Sequence, residues 1–272
     1  MLPSNPSAPS KLTSPTIPGE PVPPTAVAHT YAALTRTATY SFLVALPLLL
    51  LYELGALLIN ADRSFAIRVG ADVWIKQFLA SLGATGHLAL GGVVLAIGIA
   101  VFLWERKKRL PLRPRYFAGM LLESTVWGVL LAYLISGTVG VLFNGALASV
   151  PVLGAVQAAV PGKGTMLVLS LGAGLYEELV FRVLLVGGLY LLARRAFGME
   201  RVAAYVGAAL IGALLFSAVH YTGPYADPLE LPSFTFRFLF GLALNALFLV
   251  RGFGIAAWTH ALYDVMVVGF WS

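Results

Sequence analysis

The chain has 272 residues, 59% of them hydrophobic and only 11% charged, with a mean hydropathy of +0.85. Soluble domains carry about 25% charged residues, so this deficit excludes an ordinary soluble domain and points to one polytopic helical membrane domain. The net charge of +6 does not indicate nucleic acid, because the basic residues cluster in short loops beside apolar runs; the lack of cysteine excludes disulfides and thiolate chemistry.

In chain order, residues 1–28 (MLPSNPSAPSKLTSPTIPGEPVPPTAVA) are rich in Pro, Ser and Thr and are expected to form a disordered tail. No basic leader with a short apolar core and a small-residue cleavage site begins here. No cleaved signal peptide is therefore expected, and the first span is read as the targeting signal. Residues 29–272 form the membrane domain. Its apolar runs of spanning length are about Tyr40–Ile59, His87–Trp104, Tyr116–Phe143, Met166–Leu192, Val202–Val219, Phe234–Val250 and Ile255–Trp271. The expected fold is thus an all-α transmembrane bundle of about seven spans, within a range of six to eight. Ala61–Gly83 interleaves apolar and charged residues and reads as an extra helix on the membrane surface. Leu147–Val160 is apolar but short and bounded by prolines, so it reads as interfacial or re-entrant.

Lys and Arg set the orientation. With seven spans, twelve basic residues fall on one side, six of them in the loop Glu105–Arg115, and four fall on the other. The positive-inside rule places the N-terminus in the cytoplasm and the C-terminus outside, in a cell-membrane protein.

Five acids fall within the apparent spans: Glu53, Glu123, Glu177, Glu178 and Asp264. An ionisable group near a span centre costs roughly 2.5–3.5 kcal/mol on insertion scales, so each needs a partner, a protein interior or a chemical task. Glu53 and Glu123 stand isolated and read as structural or interfacial. Three pairs have helical spacing. Glu178 and Arg182 are four apart, on one helix face, as an ion pair would be. Glu177 is rotated by about 100° from that face and has no partner on its own helix. Phe216 and His220 are also four apart, as are His260 and Asp264. Each pair alone is what a structural clamp looks like. All three in order, on three helices with few other polar intramembrane groups, point to a site.

The ordered set Glu177-Glu178-Leu-Val-Phe-Arg182, Phe216-Ser-Ala-Val-His220 and His260-Ala-Leu-Tyr-Asp264 resembles the CAAX prenyl protease and bacteriocin-processing family of intramembrane glutamic endopeptidases. The likeness covers roughly residues 166–269, which would be the protease core, and includes the approach FRFLFGLALNALFLVRGFGIAAWTHALYD. The resemblance implies hydrolysis of a peptide bond in a membrane-associated, lipid-anchored or peptide substrate, with the bilayer as setting and no cofactor. It implies Glu177 as the base that activates water, His220 as its helper, and His260 as the donor to the oxyanion. Glu178, Arg182 and Phe216 would support them. Many relatives have Asn where this chain has Asp264, and an ionised Asp cannot donate to an oxyanion. Either Asp264 is protonated, or it orients His260 by accepting from its ring; the i,i+4 spacing favours the second.

Two other readings compete. Glu177, His220 and His260 would supply three ligands to a catalytic zinc, although no His-Glu-x-x-His occurs. A non-enzymatic proton-coupled transporter or membrane scaffold would use the charged residues as a relay, although the hydropathy shows no inverted repeat.

Overall fold

The structure is a computed structural model that describes residues 30–61, 66–81, 89–106, 110–143, 162–223 and 226–271. Among them every regular element is helical: α1 (Tyr31–Thr35), α2 (Ala38–Ile59), α3 (Gly70–Ser81), α4 (Ala89–Arg106), α5 (Pro114–Leu142), α6 (Lys163–Gly172), α7 (Gly187–Arg195), α8 (Arg201–Val219), α9 (Leu231–Arg251) and α10 (Phe253–Trp271). From α6 to α7 the helical path continues through two π-helical segments, Ala173–Glu177 and Leu179–Val186. The all-α expectation holds.

Helix boundaries follow local chemistry. Thr37 caps α2 by accepting from the Tyr40 N–H, Glu200 caps α8 by accepting from the Ala203 N–H, and prolines open α5 and α9. The break between α9 and α10 is Gly252, at φ 86°. A Cβ there would also meet Ser41 Oγ at 3.3 Å, so the position suits glycine on both counts.

Helix α10 forms the axis of the bundle, packed against α2, α5, α6, α9 and the Ala173–Glu177 segment. Ile255, Ala256, Ala257, Thr259 and Ala261 are all fully buried. A helix apolar all round belongs inside. It joins two cores. One gathers Phe181, Phe216, Phe236, Phe240, Ile255 and Tyr263; the other gathers Leu48, Tyr52, Leu175, Tyr176, Ala257 and Ala261. Outward faces are apolar too: Leu50, Leu54 and Leu58 repeat every four residues along α2 and are all exposed. In water such a stripe would drive association; against lipid tails it is at home.

Four helices are long and apolar enough to cross a membrane, α2, α5, α8 and α9, with a shorter apolar stretch at Phe253–Gly269. Within the described residues the seven expected runs fall on helix, but length and composition support four spans there. The run expected at Met166–Leu192 is the one divided by π-helical turns. Two further expectations change. The helix expected over Ala61–Gly83 is described only as α3, and it packs into the bundle against Ala173–Glu177 with Asp72 completely buried. Glu53 and Glu123 are not isolated. Glu53 bonds Tyr176 and Arg68, and Glu123 bonds Tyr31 and Arg251, partners distant in sequence. The tail at 1–28 and Leu147–Val160 lie outside the described residues.

The helix that carries the paired glutamates touches α10 at very close range. A Cβ built on Gly174 would lie 2.5 Å from Ala261 Cβ and 2.6 Å from the Ala257 carbonyl oxygen. Small residues on both helices permit that approach, and dispersion at short range is what holds helices together in lipid. Gly174→Ala is expected to lose about 1–3 kcal/mol through overpacking. Gly137→Ala, where a Cβ meets nothing within 4 Å, is expected to leave stability within about 1 kcal/mol of wild type. Thermal unfolding of the two variants in detergent separates them.

Candidate active site

Glu178 sits at the centre of a buried polar cluster. The Glu178 side chain is fully buried, and Arg182 is 1% exposed. Arg182 Nη1 lies 2.9 Å from Glu178 Oε1, an ion pair in contact, although not aligned as a hydrogen bond. His260 Nδ1 donates to the same oxygen at 2.8 Å, across from α10. Arg182 Nη2 reaches the Gly241 carbonyl of α9 at 3.4 Å, and the guanidinium stacks over the Phe216 ring at 4.5 Å. One carboxylate therefore ties together elements of all three motifs.

Phe216 is the apolar floor of this cluster. Its ring meets Arg182, His220 at 5.1 Å and His260 at 5.8 Å, and it packs edge-on against Phe181 at 5.3 Å. The cation over its face keeps the guanidinium in a site with few acceptors. Phe240 closes the other side of the His260 ring at 5.5 Å.

His220 ends α8. Its Nδ1 donates to the Phe216 carbonyl at 2.7 Å, one turn back. That bond fixes the ring and leaves Nε2 as the acceptor nitrogen of the neutral imidazole. His260 differs: Nδ1 is taken by Glu178, and Nε2 faces Asp264 Oδ2 at 3.6 Å. The Asp264 contact is longer than a hydrogen bond. The hydrogen bond that orients His260 is donated to Glu178, a partner that spacing along α10 could not disclose.

Glu177 is half-buried, on the last residue of the first π-helical segment. Its Oε2 is buried with no hydrogen-bond partner. It lies within electrostatic range of His220, His260 and Asp264, and Glu178 Oε2 is likewise buried without a hydrogen-bond partner. Among the described residues, no group of three or more His, Asp and Glu is arranged to hold a metal ion.

Residues 161–266 match the family model described as Rce1-like, type II CAAX prenyl endopeptidase. This stretch of the chain is similar to that family. The match spans all three motifs and bears out the resemblance read from them. No curated protein and no solved structure matches the chain. With four helices able to cross a membrane and a family of prenyl endopeptidases, the chain is an integral membrane protein.

The motifs carried no sign of several neighbours: Phe240, the Gly241 carbonyl, and the π-helical backbone under Glu177. Only the apolar approach segment before His260 contained the first two. π-helical turns are rare and concentrate at functional sites, and residue periodicity does not report them.

The two adjacent glutamates have opposite structural weights. Glu178→Ala would strand Arg182 and His260 without their carboxylate, an effect of about 3–5 kcal/mol for a broken buried pair. Glu177→Ala removes an unbonded buried oxygen and is expected to leave stability within about 1 kcal/mol of wild type or above it. Chemical or thermal unfolding in detergent measures both. Equal losses would show that Glu177 carries folding contacts after all.

Proposed function

We propose that the chain is an intramembrane endopeptidase that hydrolyses a peptide bond in a membrane-associated or lipid-anchored substrate, using water activated by Glu177. The observation that carries this reading is the buried oxygen of Glu177, unbonded beside two histidines, inside the segment that matches the prenyl endopeptidase family. A base must have a free lone pair, and of the two adjacent carboxylates Glu177 is the one not engaged by Arg182 and His260 and the one only half-buried.

The steps follow from the bonds each residue already makes. Water sits between Glu177 and Nε2 of His220, whose Nδ1–H is held by the Phe216 carbonyl. Glu177 takes a proton as the oxygen attacks the scissile carbonyl. His260, in its doubly protonated form, donates Nδ1–H to Glu178 and presents Nε2–H to the oxyanion. Asp264, 3.6 Å from that nitrogen, supports the positive ring electrostatically. The tetrahedral intermediate collapses, and Glu177 passes its proton to the leaving amine. Glu178, Arg182 and Phe216 keep the ring and the helix in place.

For topology, we propose seven spans with a cytoplasmic N-terminus and an external C-terminus in the cell membrane, with the His220 end of α8 facing away from the cytoplasm. The twelve-to-four bias of basic residues supports it. An outward site suits processing of peptides or C-terminal sorting signals. Reporter fusions at Asp227 and at the C-terminus read the orientation; cytoplasmic Asp227 overturns it.

Substrates are found by comparing the termini of membrane proteins from cells with wild type and Glu177→Gln, where the uncleaved substrate accumulates. On a cleaved peptide, Glu177→Gln is expected to lower kcat by about 10²–10⁴-fold, the usual reach of a general base. His260→Ala is expected to lower it by about 10²–10³-fold. Asp264→Asn should retain measurable cleavage. Chelators are expected to leave the rate unchanged; loss on chelation with restoration by zinc would replace Glu177 as base with a metal-bound water.

A further inference from the structure

A second buried polar network lies on the opposite side of the glutamate helix. Tyr176, fully buried, donates its hydroxyl to Glu53 Oε1 at 2.7 Å. Glu53 Oε2 accepts from Arg68 at 3.1 Å, and the same Arg68 nitrogen donates to Asp72 at 2.9 Å. Asp72 accepts from the Tyr52 hydroxyl at 2.8 Å and pairs with Lys76 at 2.9 Å. The Tyr52 hydroxyl in turn accepts from the Val69 N–H at 3.2 Å, and its ring packs edge-on to Tyr176 at 5.3 Å. Two carboxylates and two cations balance, and the side chains are 0–15% exposed. Burial alone would lower the Arg68 pKa; the bonds to Asp72 and Glu53 hold it above the usual arginine value, so the cation persists. The network joins α2, the 66–69 segment and α3 to a single residue of the glutamate helix, and that residue is Tyr176.

Tyr176, Glu177 and Glu178 are consecutive. Glu178 is pinned from one side by His260 and Arg182, and Tyr176 from another by Glu53 and Tyr52. Glu177 has its Oε2 unbonded, so side-chain bonds of its own do not set where that oxygen points. It also stands on a π-helical turn, a backbone form with few intrinsic preferences in its favour. Its orientation is inherited from its two neighbours.

We propose that Tyr176, held by Glu53, is a positioning residue for Glu177, and that the Glu53–Arg68–Asp72 network extends this hold to α3. The inference rests on the reading of Glu177 as the base. A wrong register at residue 177 would leave substrate binding intact and misdirect the carboxylate from the water, so the effect falls on turnover.

The test uses the full-length protein in liposomes, with a prenylated peptide ending in the CAAX pattern, or the substrate found from the terminal comparison. Tyr176→Phe keeps the ring and loses only the hydroxyl; Glu53→Gln keeps the shape and an acceptor. Expected for Tyr176→Phe are a kcat at least tenfold lower, a KM within twofold, and an unfolding temperature only a few degrees below that of wild type. Glu53→Gln should show a smaller drop, and the double variant should be no worse than the more damaged single one, since both cut one link. Hydrogen–deuterium exchange gives a readout independent of cleavage: amides in 173–186 should exchange several-fold faster in Tyr176→Phe, with α8 and α9 unchanged.

Wild-type kcat in Tyr176→Phe, alongside an inactive Glu177→Gln, overturns the positioning role and leaves the base in place. Unchanged exchange in 173–186 overturns it whether or not the peptide is cleaved. Full activity of Glu177→Gln overturns the base, and the positioning role falls with it.

Discussion

The hydrogen bond and ion pair that converge on Glu178 Oε1 organise the rest of the molecule. A charged carboxylate without water is tolerable only with opposite charge and donors beside it. Here Arg182 comes from the same helix and His260 from α10, so burying one acid commits two helices to one spacing. Arg182 in turn needs acceptors and a polarisable surface, and it finds the Gly241 carbonyl and the Phe216 face, which draws in α9 and α8. Four helical elements meet because one anion has to be neutralised.

That arrangement divides labour between neighbouring acids. Glu178 holds two partners on its Oε1, Arg182 and His260, and that is what a fixed structural charge needs. Glu177, one residue earlier, keeps a buried lone pair unspent in a site where an unbonded oxygen is unfavourable. An unfavourable group persists where the fold around it is strong enough to hold it, and the surrounding pairs supply that strength.

The legible part of this fold was everything that recurs along a single helix. The all-α class followed from composition. Glu178 with Arg182 followed from i,i+4 spacing, and the order of the three motifs carried the family likeness. What spacing could not disclose were contacts made across helices. Glu53 and Glu123 looked solitary because Arg68 and Arg251 reach them from other elements. His260 appeared to belong to Asp264, its neighbour four residues on, whereas its hydrogen bond runs to Glu178. The π-helical turns were hidden for a different reason: they are a slip in backbone bonding, and side-chain periodicity hardly changes over so few residues. Of the three expected spans that length and composition do not support among the described residues, the π-helical turns account for one, Met166–Leu192.

The contact of Gly174 with Ala257 and Ala261 brings two backbones together over an almost smooth surface. Large side chains mesh like teeth and forbid sliding; methyl groups and a hydrogen atom offer little to catch. Such a seam is strong against separation and weak against shear. The polar bonds on either side of it, at Tyr176 and Glu178, and the buried rings of Tyr176 and Phe181 add what the seam lacks in alignment along the helix axis. The seam at Gly174 sets how near the two helices stand, and the hydrogen bonds beside it set their register.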